Sequence, residues 1–324
     1  MSPARIDVVH VGSASRDLTS DDPRGWRLGG GVTYGALTTA RLGLRTAALI
    51  GIDATAATAD ELDLLRDAGV EVALVRLPEA PVFDNLETPS GRVQVCHAVG
   101  RPLETGAVPA TWRTTRAWSL VPVAREVGDD WAAILPDEAF VTVGWQGFLR
   151  ILEAGQRVDH RAPSASLLVR RADLIGVSHH DLAPGTSLAS LTALLHPGAD
   201  LVITEGHLGG RLVHIGAGGA DFVRYLSIPT GSEIDPTGAG DTFVAALLAS
   251  VVGSVAMPTW PGLHPQPDLA FAAAAASLTI EGLGLAAVPN RAAVVARRDG
   301  DPGPSPERHD PSGAGNRGPG ATTD

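Results

Sequence analysis

The sequence predicts an α/β fold, a doubly wound, mainly parallel sheet with a small β lid. Three observations carry that expectation. Short apolar runs alternate with helical patterns at the spacing that parallel strands and right-handed crossovers require. Two alternating segments, 82–86 and 92–97, break this rhythm as a hairpin would. Finally, a glycine-rich turn around Gly238 and Gly240 feeds an apolar run, Val244–Val252, with no breaker until Gly253, which reads as a buried helix.

In chain order, the first strand is Ile6–Val11, closing on Gly12-Ser13, and residues 15–24 read as a polar loop carrying Asp17. Gly29, Gly30 and Gly31 precede a small-residue helix over Val32–Leu42 that Gly43 stops as a C′ residue. Thr46–Ile50 is a strand, Asp60–Ala68 a helix ended by Gly69, and Val70–Val75 a strand. The hairpin follows, its arms joined by Glu87-Thr-Pro-Ser-Gly91. Such an excursion serves as a lid or as an ordinary edge hairpin; we take 82–99 as a lid. Strands then recur at Ala117–Val123, Phe140–Val143, Leu174–Val177 and Leu201–Thr204, with helical stretches at Asp129–Leu135 and Leu188–Leu195. A second hairpin joins Arg211–Ile215 to Phe222–Ile228. Beyond the helix at 244–252 come a Pro-rich loop (257–267), a small-residue helix (Phe271–Ile280) and a short last helix (Arg291–Arg298). Residues 1–298 should form one domain. Residues 299–324 are Gly, Pro, Ser, Asp and Arg without periodicity, the composition of a disordered tail.

Composition narrows the function. The 324 residues carry a net charge of −11, which argues against a nucleic-acid footprint. No apolar run reaches membrane-spanning length, and the first residues lack the layout of a signal peptide. A single cysteine, Cys96, excludes an intrachain disulfide framework and fits the reducing cytoplasm. All 25 basic residues are arginine. Schiff-base chemistry on a protein lysine is therefore excluded, as are the lysine-bearing P-loop and the protein-kinase strand lysine. Phosphate chemistry here must rest on backbone amides, arginine and metal.

The turn Asp235-Pro-Thr-Gly-Ala-Gly-Asp241 supplies such amides. Gly238, Ala239 and Gly240 sit where a helix begins, so unpaired N–H groups and the positive end of the dipole converge on one spot that suits a phosphate. Asp241 beside them would repel an anion. That placement makes sense if Asp241 is a base acting on a hydroxyl that attacks phosphorus. The plainer reading is a helix cap, which Asp often provides.

The longer string, Asp235 through Asp241 followed by Ala245-Ala246-Leu247-Leu248, resembles the C-terminal motif of the PfkB (ribokinase-like) carbohydrate kinases. The resemblance implies a ribokinase-like fold and transfer of the ATP γ-phosphoryl group to a hydroxyl of a small sugar, polyol or cyclitol. It casts Asp241 as the base and Gly238, Ala239 and Gly240 as the anion donors. Asp17, in Gly12-Ser-Ala-Ser-Arg-Asp17, resembles the Asp that holds sugar hydroxyls, and Gly29, Gly30 and Gly31 the motif that lets substrate approach the backbone. Tyr34 stands where many members have Asn, so the substrate is not expected to be plain ribose. On the nucleotide side Thr204-Glu-Gly206-His-Leu-Gly209 resembles the loop near the ATP phosphates, with Asp235 and Thr237 completing the cofactor site. Ser178-His-His-Asp181 takes the place of the family's Asn-x-x-Glu, and Asp181 keeps a hard oxygen ligand for Mg²⁺. Adjacent His179 and His180 lack metal-site spacing. Phe271–Ser277 falls where members line the adenine pocket, and Gly282 and Gly284 where some hold a monovalent cation. Trp145–Arg150, with Asn85 and Arg92–Gln94, resembles a branch that includes inositol-type kinases. Two other readings stand beside this one: a nucleoside kinase, and a catalytically inactive sugar-binding regulator. The resemblance also implies a homodimer through the lid.

Overall fold

The computed structural model describes residues 5–88, 91–253 and 267–300. The Pro-rich loop and the tail expected from the sequence lie, all but their edges, outside those residues, as does the centre of the 87–91 turn. The N-terminal part runs β1 (Val8–Ser13), β2 (Ser15–Leu18), β3 (Trp26–Gly29), α1 (Gly31–Arg41), β4 (Thr46–Ile52), α2 (Glu61–Asp67) and β5 (Glu71–Arg76). The middle comprises β6 (Val82–Thr88), β7 (Gly91–Ala98), β8 (Ala117–Leu120), β9 (Phe140–Gly144), α3 (Gln146–Leu149), β10 (Arg150–Ile151), β11 (Gln156–Arg157) and β12 (Asp159–His160). The rest is α4 (Leu167–Arg171), β13 (Leu174–Ser178), α5 (Leu188–Thr192), β14 (Asp200–Thr204), β15 (Gly210–Gly216), β16 (Gly219–Tyr225), α6 (Ala239–Val252), α7 (Leu269–Thr279) and α8 (Arg291–Arg298).

Nine strands form the main sheet in the order β16-β15-β14-β13-β9-β8-β1-β4-β5. Every pairing from β14 to β5 is parallel, while β15 and β16 are antiparallel additions, as their hairpin pattern foretold. Strand alternation divides the core between the two faces. Val9, Val11, Ala47 and Leu49 pack with Trp112, Trp118, Trp131 and Trp145 on one side. Ala48 and Ile50 face α1 on the other, where Val8 and Leu174 meet the small side chains of α6 and α7. The aromatic residues are few, but four tryptophans are concentrated in one layer. Chain order proceeds outward from β1 through β4 to β5, then returns to β8 on the opposite side and continues to β14. That reversal between β1 and β8 opens a crevice at the carboxyl ends of the strands, the usual ligand position in such sheets.

The lid differs from the hairpin expected. The second sheet has five strands, β11-β7-β6-β2-β3, and is mixed, since β2 runs parallel to β6. Residues 15–18 and 26–29, read as part of a polar loop and its flank, are its strands β2 and β3. Their composition hides this: Ser15 and Asp17 are polar because they face the cleft, while Arg16 between them turns the other way to pair with Asp53 (3.2 Å).

Glu126 pins the crevice floor. Its carboxylate accepts from the amides of Ser13 (2.7 Å), Val123 (3.1 Å) and Ala124 (2.8 Å), tying the end of β1 to the segment after β8. Burial raises its pKa, against the lowering effect of those amides. Glu126→Ala leaves three buried donors without acceptors and should destabilise the protein by about 1–3 kcal/mol, read as a lower urea midpoint. An unchanged midpoint would show that the clamp is dispensable.

Candidate active site

A cleft of about 920 Å³ lies between the two sheets, at the carboxyl ends of the main-sheet strands. Asp241 projects into it from the first turn of α6. The helix starts at Gly238, whose φ of 80° is one an L side chain rarely adopts, and a Cβ there would also collide with the ring of Tyr34. Two of the first amides are already used: Thr242 N–H donates to Gly238 O (2.8 Å) and Ala239 N–H to Pro236 O (3.3 Å). Those of Gly240 and Asp241 have no preceding helical turn to donate to.

Asp241 sits against Gly31, where a Cβ would lie 2.8 Å from Asp241 Oδ1 and 3.2 Å from Val121 Cβ. Part of the residue's surface opens to the cleft, but the carboxyl group is deep enough that burial raises its pKa to about 7. Arg150 opposes that rise, while Asp181 and Asp17 add to it. Arg150 is itself buried, donating to Val123 O (3.1 Å) and lying 5.2 Å from the ring centroid of Phe83. Its Nε has no hydrogen-bond partner among the described residues. Burial lowers its pKa, against the raising influence of Asp181, Asp241 and Asp17. One buried guanidinium thus shares the cleft with three carboxylates.

The residues singled out from the sequence largely converge. Asp17, Gly30, Gly31, Tyr34, Asn85, Asp181, Thr204, Gly206, Gly209, Thr237, Gly238, Ala239, Gly240 and Asp241 all line the cleft. Gly29 and Asp235 do not. Gly29 lies behind the Asp17 carboxylate. Asp235 works from behind the turn, where its Oδ1 accepts from Thr237 N–H (2.9 Å). Tyr34, which lines the cleft, also supports the turn. It is 1% exposed, and its ring is wedged under Gly238. Burial holds its hydroxyl pKa well above the ordinary phenol value, with Asp235, Asp17 and Asp241 adding to that.

Gln146 and Arg150, both in the cleft, belong to the Trp145–Arg150 stretch at a strand end, Gln146 opening the short helix α3 and Arg150 following it in β10. Arg157 and His160, which also line the cleft, carried no assignment from the sequence. Arg157 and His160 come from two-residue strands too short to show a period. His160 Nε2 is 3.7 Å from Asp181 Oδ1, and Gln146 Nε2 is 3.4 Å from the same atom. Asp181 is therefore a single carboxylate beside one imidazole and one amide. Among the described residues no three His, Cys, Asp or Glu side chains gather as a metal cage. Mg²⁺ takes one or two protein carboxylates when phosphates and water supply the remainder, so Asp181 fits that ion.

Comparison with known proteins agrees with this geometry. Residues 156–292 match the family described as pfkB family carbohydrate kinase. Residues 156–292 are thus similar to that family. That match begins in β11 and includes β13, β14 and α6. Solved structures extend the likeness to nearly the whole chain. A pyrophosphate-dependent kinase in the ribokinase family, complexed with a pyrophosphate analog and myo-inositol, superposes with a TM-score of 0.66 at 20% identity, covering 89% of this chain and 99% of that one. Ribokinase from Arabidopsis thaliana, complexed with ribose and ATP, gives 0.61 at 18% identity over 91% and 99%. The nucleoside kinase of Methanocaldococcus jannaschii gives 0.60 at 15% identity over the same shares. At these identities the superpositions establish the ribokinase fold. No curated protein matches the chain.

The close approach of Asp241 to Gly31 is directly testable. Gly31→Ala should displace the carboxylate and lower turnover by about 10²-fold, the loss typical of a reacting group moved by an ångström. Its melting temperature should change little. Retention of full turnover would mean that the contact does not set the position of Asp241.

Proposed function

We propose that the protein transfers a phosphoryl group from ATP to a hydroxyl of a small polyol or cyclitol. The observation that carries this reading is a carboxylate of pKa about 7 beside the open amides of a helix start. A general base works best when its pKa lies near the working pH, and burial tunes Asp241 to that range. In this reading Asp241 accepts the proton of the attacking hydroxyl, while the amides of Gly240 and Asp241 receive the phosphoryl oxygens. Asp17, Asn85, Gln146, Arg150 and His160 present both donors and acceptors to the acceptor half of the cleft. That density of polar groups favours a compound bearing hydroxyls all round over a nucleoside, whose base needs an apolar face. Asp181 would hold Mg²⁺, which neutralises donor phosphate charge when bound.

The donor half supports ATP. Beyond Thr204, Gly206 and Gly209, the cleft is lined by Ala273, Ala276 and Ser277 of α7, whose short side chains leave room for a flat base. Inorganic pyrophosphate is the other donor to test, because the superposed inositol-complexed kinase is described as pyrophosphate-dependent. The reading extends to a cytoplasmic enzyme and a homodimer through the smaller sheet, which light scattering on the purified protein would test. Among the described residues no helix is long and apolar enough to cross a membrane.

A panel of sugars, cyclitols and nucleosides, each assayed with ATP and with pyrophosphate, tests the reaction. Asp241→Asn should lose ~10²–10⁴-fold in turnover with a smaller change in acceptor KM. Absence of turnover for every pair, with acceptor binding intact, would favour the inactive regulator.

The pH profile has a fixed sign. Asp241 works deprotonated, so kcat/KM should rise with pH and level off above an apparent pKa near 7. Arg150 holds that value down. Arg150→Gln should shift the rising limb to higher pH; a limb that stays in place would assign it to another group.

A further inference from the structure

Behind the anion-binding turn, Asp235 is held by three contacts. Its Oδ1 accepts from Thr237 N–H (2.9 Å), fixing the turn that leads to Gly238. Its Oδ2 accepts from Gly284 N–H (3.3 Å), tying that turn to the segment after α7. The third is an ion pair: Arg27 Nη1 stands 3.8 Å from Asp235 Oδ2, with both side chains mostly buried. Arg27 belongs to β3 in the smaller sheet, directly opposite Asp17 of β2. Its stem also lies over Gly284, with Arg27 Cδ 3.7 Å from where a Cβ on that glycine would be.

These contacts do not fit the monovalent cation that the family resemblance implied near Gly282 and Gly284. A cation beside Gly284 would face a guanidinium, and the carboxylate there already has a positive partner. Gly284 also directs an N–H toward that carboxylate, a donor that repels a metal ion. The chain supplies the positive charge itself.

We propose that Arg27 is a built-in cation that positions the turn at 235–240, and that the protein works without a monovalent metal ion. Because Arg27 and Asp17 are cross-strand neighbours, the same contact couples the acceptor-facing sheet to the turn that receives the phosphoryl group. An acceptor gripped by Asp17 therefore fixes Arg27, and Arg27 fixes Asp235. Arg27 touches no reacting atom in this scheme; it is a positioning residue. The inference rests on the phosphotransfer reading for its kinetic consequence, but not for its effect on anion binding.

Two readouts test it on the full chain. Turnover is measured in chloride salts of potassium, sodium and tetramethylammonium at constant ionic strength. In parallel, the rise in melting temperature caused by inorganic pyrophosphate with Mg²⁺ is recorded in the same salts, since a ligand of the folded state raises its stability. Wild type should show equal turnover and equal pyrophosphate shifts in all three. Arg27→Ala should lose ~10-fold or more in kcat, the loss of about one charge-assisted contact, with a smaller pyrophosphate shift. Arg27→Lys, which keeps the charge, should recover part of both, and low non-denaturing guanidinium should partly rescue Arg27→Ala. A saturable, several-fold activation of wild type by potassium over tetramethylammonium would overturn the proposal. So would an Arg27→Ala protein with unaltered kcat and pyrophosphate shift, or a wild type that pyrophosphate does not stabilise. If no donor and acceptor pair gives turnover, the kinase reading fails, and the pyrophosphate shifts alone still decide the role of Arg27.

Discussion

The site depends on one close approach: the carboxylate of Asp241 resting against the Cα of Gly31. Two helices that begin 208 residues apart in sequence meet start to start at this point, α1 at Gly31 and α6 at Gly238-Ala239. Removing water from around the carboxyl group raises the free energy of its charged form, and only partial compensation comes from Arg150. The result is an acid that gives up its proton near neutrality, next to amides that favour an anion. Neither feature is unusual alone. Their adjacency is what phosphoryl transfer requires, because proton acceptance and charge stabilisation must occur within one contact distance.

Much of this was legible in the chain. The parallel strands announce themselves as short apolar runs, and the seven of them appear with boundaries within a few residues of the expected ones. Helix α6 was readable because its apolar run is uninterrupted, and the Gly-x-Gly-Asp turn because the longer string from Asp235 to Leu248 resembles a known motif. The absence of lysine left amides and arginine as the available phosphate partners, and two arginines, Arg150 and Arg157, line the cleft.

What the chain concealed has a physical reason in each case. Strand β2 looks like loop because Ser15 and Asp17 face a polar cleft, and β3, four residues long and ending in glycine, is too short to show a period. Strands β11 and β12 are two residues each, below the length at which any period shows. Glu126 reads as a surface acid, although three amides from two chain segments surround it. Tyr34 was placed by its spacing from the glycines, which cannot tell a side chain that meets ligand from one that props a turn. Arg27 lies 208 positions from Asp235, and no local pattern links them.

The second sheet is stitched from three separate stretches of chain, 15–29, 82–98 and 156–157. A flap made from one hairpin could swing on a single two-strand hinge. This sheet is leashed far more tightly: only Ala14 separates β1 from β2, and only Gly30 separates β3 from α1. Any rocking of the sheet over the cleft must be absorbed by backbone rotation at those two residues. Gly30, at φ 102°, already holds a conformation that L side chains rarely share. The pivot and the floor of the site are therefore adjacent in the chain, and a change at Gly30 would disturb both together.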